Sequence, residues 1–324
     1  MLAERRYLKL NGENITRTPL LVPSFSSKGF PSVLKIIEYS SEVIEGPMLV
    51  SAYDIYHNKI KPPFDFPSLI FLDSGGYEAA KDNVDLSDFG ERDHFPLIWN
   101  QEKHESVLSE WSPSVPSVII SYDHPKDRKS IREQIDRARG MAPGKQGFLR
   151  EILLKPETDT QQYLKIESIT SEIQKLADFQ VIGATEKEIG NSIINRMTNI
   201  AKLRQALDRA GLDTPIHVFG SLDTVTTPLY FLAGADIFDG LTWLRFAFHE
   251  GNTLYKHNYS ALHLGADTSA RMIDGRCWNN NYYYISELQQ DMRRFLGSRD
   301  FNIFKNHGEF FLRTLSSVTE ALGE

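Results

Sequence analysis

Three aspartates in the sequence lie at the ends of apolar segments: Asp73 in FLDSGGY, Asp123 in ISYDHP and Asp239 in GADIFDGLTWLR. Carboxylates that converge on one site can divide into a nucleophile and an acid or base when their surroundings separate their pKa values. Taken singly, an aspartate after a strand is more often a helix cap or a turn former. Together, the three predict a site of nucleophilic and acid–base chemistry.

The segment that follows Asp73 has the composition of a binding loop for a planar ligand. Gly75 and Gly76 remove side chains where such a ligand could lie against the backbone, and Tyr77 offers a ring on which a base can stack. Taken alone, a simple tight turn at the end of a strand explains the segment equally well. Because GxGxxG and P-loop patterns are absent, the sequence does not indicate a nucleotide cofactor.

The elements that must position these residues are short apolar segments rich in β-branched side chains, a pattern typical of buried parallel strands. Amphipathic segments with apolar residues three and four apart separate several of them. Eight repeats of strand and helix predict an α/β fold of the (β/α)₈ TIM-barrel type, although a doubly wound open sheet uses the same alternation. The predicted strands are residues 20–25, 48–53, 68–74, 117–123, 150–156, 179–185, 215–221 and 235–241.

Length and composition predict one domain over residues 1–324, with 41% hydrophobic residues. We expect the barrel core over about 20–245, and over 246–324 a loop plus C-terminal helices that complete or cap the barrel. No stretch approaches eighteen consecutive apolar residues, and the amino-terminal segment lacks the pattern of a signal peptide. A cytoplasmic protein without a membrane partner is therefore expected.

The charge and the cysteine content narrow the classes of partner and site. A net charge of −7 counts against binding nucleic acid by nonspecific attraction alone. The single cysteine, Cys277, excludes an internal disulfide framework and a site built on several thiolates of this chain. We predict no cofactor, since the nucleotide-binding motifs are absent, and no metal, since the histidine spacings match no zinc motif. Local basic groups remain, although solvated helix faces explain them equally well: Lys126, Arg128, Lys129, Arg132, Arg137 and Arg139, and later Arg293, Arg294 and Arg299.

Two segments resemble the tRNA-guanine transglycosylase superfamily, which inserts queuine, its precursors or the archaeosine precursor into tRNA and has relatives that place 7-deazaguanines in DNA. LDSGGY at 72–77 is similar to the family's DSGG or DSGS segment with its following aromatic residue. GADIFDGLTWLR at 234–245 is similar to a family segment that ends in Arg. Supporting matches, which extend the resemblance over roughly 68–295, are SYD at 121–123, VIGA at 181–184, HVFGS at 217–221 and NNYYYISELQQDMRRF at 280–295.

The resemblance implies a role for each matching residue. Asp239 would attack the sugar C1′ and displace guanine, giving a covalent glycosyl enzyme, and Asp73 would act as general acid and base. This double displacement would retain the configuration at C1′, as in a retaining glycosidase. The implied substrate-binding residues are Ser74 and Asp123 at the purine edge, Tyr77 on its face, Gly183 through its backbone, and Gly75, Gly76, Lys155 and Arg245.

The sequence also departs from the family pattern. The family's Cys-x-Cys-x-x-Cys zinc motif with a following His is missing, and His249, His257 and His263 have spacings that match no zinc motif. We therefore expect a barrel without the family zinc subdomain, which in relatives supports tRNA binding and dimer contacts. LLKP places Lys155 where the family has a base-reading Gln, which suggests altered base selectivity because lysine donates but cannot accept.

The expected activity is exchange of a polynucleotide guanine for a free 7-deazaguanine base, with DNA slightly favoured over tRNA as the substrate. A protein partner or a homodimer is compatible with this activity. One alternative is a nucleoside or nucleic-acid glycosylase, in which water resolves the intermediate. Another class is a noncatalytic base- or nucleic-acid-binding subunit, against which the presence of both Asp73 and Asp239 argues.

Overall fold

Eight of the strands form one parallel sheet that curves into a barrel. The computed structural model describes residues 2–80, 94–123, 127–141 and 147–323. The strands within these ranges are β1 (Tyr7–Leu10), β2 (Glu13–Arg17), β3 (Leu20–Pro23), β4 (Pro47–Ser51), β5 (Leu69–Asp73), β6 (Ser117–Ile120), β7 (Leu149–Leu154), β8 (Val181–Thr185), β9 (Ile216–Phe219), β10 (Ile237–Gly240), β11 (Ala247–His249) and β12 (Asn252–Leu254).

Helices surround the sheet, and several are very short. The helices within the described ranges are α1 (Val33–Ser40), α2 (Ala52–Tyr56), α3 (Gly76–Ala79), α4 (Gln101–Glu110), α5 (Ile131–Arg139), α6 (Ile166–Ser171), α7 (Glu186–Ile189), α8 (Ile193–Arg209), α9 (Thr226–Leu232), α10 (Thr242–Arg245), α11 (Lys256–His263), α12 (Ala270–Ser298) and α13 (Gly308–Leu322), with 3₁₀ turns at Ile173–Asp178 and Phe301–Ile303.

The strand order is that of a nearly closed TIM barrel. The hydrogen-bonded order runs β3-β10-β9-β8-β7-β6-β5-β4, and every pair in it is parallel. A parallel bridge between Ser24 and Leu49 joins the two outer strands, and the Phe25 amide donates to the Leu49 carbonyl at 3.0 Å. The eight predicted strands and the predicted fold class are confirmed, so the open-sheet alternative is wrong.

Side chains alternate along each strand between the inside of the barrel and the layer beneath the helices. On β5, Leu69 and Phe71 belong to the inner cluster, whereas Ile70 and Leu72 belong to the cluster that packs against the helices. Asp73 continues the inner row, one residue pair beyond Phe71. The same alternation puts Asp239 in the inner row after Ile237, so two of the predicted site residues face the barrel axis at its carboxyl end.

The hairpin β1–β2, which the sequence did not predict, covers the amino end of the barrel. Leu8 is fully buried in the inner cluster, and Leu10 and Ile15 pack against it. Just beneath β10, the buried Asp236 carboxylate pairs with Arg6 at 3.3 Å and with Arg204 at 3.0 Å. Because these groups lie at the end of the barrel opposite Asp73 and Asp239, we assign them to stability rather than to chemistry.

The C-terminal segment completes the barrel wall. The Gln289 side chain of α12 accepts a hydrogen bond from the Leu21 amide of β3 at 2.8 Å. Helix α13 packs against α8 and α9. Within residues 246–324, the hairpin β11–β12 and α11 precede the long helix α12, which begins at Ala270. In the part of the chain that the structure describes, no helix is both long and apolar enough to cross a membrane.

Candidate active site

A cavity of about 400 Å³ opens at the carboxyl ends of the barrel strands. A larger cavity, of about 530 Å³, lies between α2 and α4, but its lining is mostly apolar and proline-rich, with Glu110 as its one carboxylate among the described residues. We therefore place the chemistry at the barrel mouth. Eight of the ten predicted site residues line that cavity: Asp73, Ser74, Gly76, Tyr77, Asp123, Lys155, Asp239 and Arg245.

Asp239 accepts hydrogen bonds on both of its carboxyl oxygens. The Ser24 hydroxyl donates to Oδ2 at 2.7 Å, and the Gly220 amide donates to Oδ1 at 3.1 Å. The Nε2 atom of His217 lies 3.2 Å from the same Oδ1. Because these groups stabilise negative charge, Asp239 is suited to act as an ionised nucleophile.

Asp73 lies in the opposite electrostatic setting. Burial raises its pKa well above the usual value, and the neighbouring carboxylates of Glu78 and Asp123 raise it further, with a smaller contribution from Asp239. The Gly75 amide, which donates to Oδ2 at 3.2 Å, only partly opposes this shift. A carboxyl group in this setting keeps its proton and is suited to general acid catalysis.

Glu78, which the sequence analysis did not select, is a further carboxylate in the cavity. Burial and then the nearby Asp54 raise its pKa to about 7, while hydrogen bonds from Ser26 and Ser51 oppose the shift. The Ser51 hydroxyl donates to Glu78 Oε2 at 2.8 Å, and Ser26 donates to Oε1. Its position on the short helix α3, directly after the DSGGY segment, is a signal that could have identified it.

The polar side of the cavity is built from paired charges. The Ser74 hydroxyl donates to Asp123 Oδ1, and Lys155 Nζ lies 3.4 Å from Asp123 Oδ2. The same ammonium contacts Glu188 at 3.1 Å and donates to Thr185 at 2.7 Å. Burial alone would lower the pKa of Lys155, but Asp123 and Glu188 raise it overall. The lysine is therefore a charged, fixed donor at this wall.

Tyr77 stands at the cavity wall between two cations. The Arg245 guanidinium donates to the Tyr77 hydroxyl at 3.0 Å, and Lys28 Nζ lies 4.3 Å from the centre of the Tyr77 ring. Lys28 also donates to the Tyr77 carbonyl at 2.9 Å, which fixes the short helix α3. Arg245 therefore orients the ring that we expect to stack on a base.

The three predicted glycines serve close packing. A Cβ at Gly76 would lie 2.5 Å from an Asp123 oxygen, so this glycine admits the carboxylate to the cavity wall. Gly75 has φ +85° and faces Tyr53 and Trp99. Neither Gly75 nor Gly183 is among the residues that line the cavity. At Gly183, a Cβ would lie 2.5 Å from both Glu151 and Phe219.

Glu151 and His217 form a buried pair of ionisable side chains inside the barrel that the sequence analysis did not assign. Glu151 Oε1 lies 2.8 Å from His217 Nδ1, and both side chains are fully inaccessible to solvent. Glu151 follows Arg150 at the start of the apolar run in REILL, and His217 interrupts the otherwise apolar segment PIHVF. Because charged residues are rarely buried in such segments without a partner or a function, that interruption is the signal that could have found them.

The remaining predicted groups do not assemble into a second site. The rings of His249 and His263 lie 4.3 Å apart, but the described residues contain no group of three or more His, Cys, Asp and Glu side chains that could hold a metal ion. Lys126 lies outside the described residues. The basic residues that follow β6 are largely paired with acids: Arg128 with Glu188, Lys129 and Arg137 with Asp127, Arg132 with Glu172, and Arg139 with Asp178.

No protein-family model matches this chain, and no curated protein matches it either.

Proposed function

We propose that this chain is a pentosyltransferase that exchanges guanine in a polynucleotide for a free 7-deazaguanine base. The observation that carries the proposal is the contrast between two carboxyl groups in one cavity. Asp239 is surrounded by donors that favour its anion, whereas burial and neighbouring carboxylates raise the pKa of Asp73. A nucleophile and an acid in one cavity are the pair that double displacement at an anomeric carbon requires.

In the first step, a carboxylate oxygen of Asp239 forms a bond to C1′ while the bond from C1′ to the base breaks. The bonding electrons leave with guanine, and protonated Asp73 donates its proton to a ring nitrogen of the departing base. In the second step, the ionised Asp73 removes a proton from the incoming base. The nitrogen of that base then attacks C1′, and the Asp239 carboxylate leaves. Two inversions at C1′ give net retention.

The lining of the cavity supports a planar, polar ligand. Tyr77 offers a ring face, and Phe219 and Leu153 add apolar surface. Ser74, Asp123 and Lys155 supply donors and acceptors along one wall, as the edge of a guanine-like base requires.

The polymer must present its base outside the helix stack, because the reacting carboxylates lie at the bottom of the barrel mouth. Flipping a base out of a duplex costs a few kcal/mol, which a single-stranded target or a protein partner would reduce. The cavity rim carries the exposed cation Lys187, which suits a phosphate group despite the net charge of −7, whereas Arg128 is paired with Glu188 and Arg245 contacts the Tyr77 hydroxyl. We favour DNA over tRNA, since the zinc motif that supports tRNA binding in the family is missing.

Incubation with a labelled 7-deazaguanine and, separately, tRNA, duplex DNA and single-stranded DNA tests this proposal. We expect label in a DNA substrate and an equal release of guanine. Label in tRNA would keep the exchange chemistry but overturn the preference for DNA. Release of guanine without uptake of label would indicate a hydrolytic glycosylase, and neither release nor uptake with any polymer would contradict the proposed activity.

A further inference from the structure

His217 lies inside the barrel between two carboxylates that come from different strands. Its Nδ1 is 2.8 Å from Glu151 Oε1 on β7, and its Nε2 is 3.2 Å from Asp239 Oδ1 on β10. Both ring nitrogens therefore face an acidic oxygen. A neutral imidazole has one donor nitrogen and would leave one of these oxygens facing a lone pair, whereas an imidazolium is attracted to both. Its Nδ1 is hydrogen-bonded to Glu151, and its Nε2 faces Asp239 as a charge contact rather than as an aligned hydrogen bond.

The packing around His217 keeps this arrangement dry and rigid. The Phe219 ring stacks on the imidazole with ring centres 3.9 Å apart, and Phe71 meets it edge-on at 5.5 Å. Gly183, opposite His217 in the β8–β9 register, leaves the space that Glu151 and Phe219 fill. In the described part of the chain, Glu151 and Asp239 are the charged groups that act on His217.

We propose that Glu151 and His217 are positioning residues that hold Oδ1 of the nucleophile, so that Oδ2 of Asp239 attacks C1′. Oδ1 faces His217 and the Gly220 amide, which are both fixed by the barrel. Oδ2 accepts only the Ser24 hydroxyl within the described residues, and a hydroxyl can rotate away when the substrate arrives. This inference rests on the proposed function for its catalytic part.

The positioning pair, Glu151 and His217, acts differently in the two half-reactions. When Asp239 becomes an ester, its negative charge is lost, and the imidazolium remains paired with Glu151 alone. When Asp239 leaves C1′ in the second step, its carboxylate charge returns beside the waiting imidazolium, which stabilises it as a leaving group. No proton moves to or from His217 in either step, so the residue must stay charged throughout the cycle.

The electrostatics of the site agree with a charged imidazole. Burial alone would lower the pKa of His217, but Glu151 and Asp239 raise it to about 9. His217 should therefore remain an imidazolium at neutral pH, and base transfer should decline as the pH rises through about 9. In Glu151→Gln, the amide keeps an acceptor for Nδ1 but removes one charge, which should move this decline to lower pH by about one unit or more.

Nitrogen NMR of the histidine rings tests whether His217 is charged between Glu151 and Asp239, and it does not require that the protein be active. We expect one buried ring, identified by its loss in His217→Gln, to be doubly protonated at pH 7 and to titrate near pH 9. In Glu151→Gln and in Asp239→Asn, its titration should move to lower pH. A neutral His217 ring in the wild-type protein at pH 7 would overturn the inference, even if the protein transfers bases.

The pH profile of base transfer tests the catalytic part. We expect Glu151→Gln to lose activity mainly at high pH, with a steeper loss for the second half-reaction and accumulation of the covalent adduct. The matched control is Glu186→Gln, a carboxylate paired with Arg196 outside the cavity, whose profile should follow the wild type. An equal loss at every pH in Glu151→Gln would indicate a structural role only. If the wild type transfers no base, the proposed function is contradicted. The NMR measurement still decides separately whether His217 is charged.

Discussion

Asp73 and Asp239 are the same residue type at equivalent places on two strands, and their surroundings set their different roles. Asp239 has hydroxyl, amide and imidazole groups around its oxygens. Asp73 has the carboxylates Glu78 and Asp123 as neighbours, and its burial is nearly complete. Solvent exclusion strengthens both effects, since charges interact more strongly in a dry site. Near the carboxyl ends of two strands, the same residue type is therefore suited to the proposed nucleophile role on β10 and to the proposed acid role on β5.

Replacing Asp73 with Asn should slow guanine release by about 10²-fold or more, because a positioned general acid usually contributes at least this much. Stopped assays of base release at pH 7 would measure the loss. A variant with unchanged release would remove Asp73 from the proton-transfer step. Asp159→Asn, at an exposed position, is the matched control and should keep the wild-type rate.

The same Asp73→Asn variant should be more stable than the wild type at alkaline pH. The folded-state pKa of Asp73 is raised above its unfolded value, so wild-type stability declines as the pH rises from about 4 towards that folded pKa. The amide lacks this titration. We expect similar Tm values at pH 4 and a gain of roughly 2 °C or more for the variant at pH 8. A lower Tm for the variant at pH 8 would contradict the assigned burial energetics.

Tyr77 should contribute to binding more than to chemistry. Tyr77→Ala should weaken binding of a free 7-deazaguanine by roughly 1–3 kcal/mol, the usual range for stacking of one base on an aromatic ring. Tyr77→Phe keeps the ring but loses the hydroxyl that Arg245 contacts, so it should retain most of the affinity. Calorimetry on both variants would measure this, and equal weakening by the two would mean that the hydroxyl rather than the ring face matters.

At the residue scale, the sequence revealed the carboxylates that end strands but not the charges buried within them. Asp73, Asp123 and Asp239 are visible because each follows an apolar run. Glu151 and His217 stand inside such runs, where a single polar letter does not change the strand prediction. Their function depends on a contact between strands β7 and β9, which are not sequential partners, and no spacing rule predicts that contact.

At the scale of elements, the barrel strands were predictable because each is a continuous apolar run, whereas four short helices were not. The helices α2, α3, α7 and α10 have four or five residues each and directly follow strands. A helix of one turn shows no repeat in its apolar pattern, so sequence periodicity cannot reveal it. Three of these helices, α3, α7 and α10, carry residues that line the cavity beyond the strand ends. These residues include Tyr77, Glu78, Lys187 and Arg245.

The amino half of α12 has a polar residue at one of its core positions, which weakens its apolar pattern in the sequence. Ile273, Cys277, Asn281 and Ile285 are buried at intervals of four, which is a helical pattern. Asn281 is fully buried, where it accepts the Phe248 amide at 2.7 Å and donates to the Trp243 and Phe246 carbonyls. This asparagine fixes the segment after α10, and therefore the backbone that carries Arg245.

Asp236 anchors the amino end of strand β10, and its replacement should strongly lower the free energy of unfolding. Asp236→Ala would leave the Arg6 and Arg204 guanidinium groups buried without their carboxylate, and should cost about 3–5 kcal/mol in the free energy of unfolding. Urea denaturation would measure it. The matched control is Asp178→Ala, which breaks an exposed pair with Arg139 and should cost about 0–1 kcal/mol. Similar losses in the two variants would contradict the anchoring role.

Over the whole molecule, the proposed function requires an acidic chain to bind an acidic polymer through a small local surface. The net charge of −7 opposes general attraction, and most basic residues after β6 already pair with carboxylates. We therefore expect affinity to come mainly from the captured base, with few phosphate contacts. This fits a protein that selects an extruded or single-stranded nucleotide rather than one that tracks along a duplex.

Substitution of Lys187, at the cavity rim, tests whether the polymer makes few phosphate contacts. Lys187→Ala should weaken binding of a single-stranded oligonucleotide and reduce the dependence of log K on log salt by about 0.7, the contribution of one phosphate contact. Lys202→Ala, an exposed position on the outer helix α8, should leave both quantities unchanged. Equal salt dependence in the wild type and Lys187→Ala would remove this lysine from the polymer path.

The most direct test of the central claim is a search by mass spectrometry for a covalent adduct between the protein and a guanine-containing oligonucleotide, trapped without an incoming base. The account predicts a peptide containing residues 234–245 that carries the sugar at Asp239, and complete loss of this adduct in Asp239→Ala with an unchanged circular dichroism spectrum. An adduct on another residue, or normal turnover by Asp239→Ala, would contradict it.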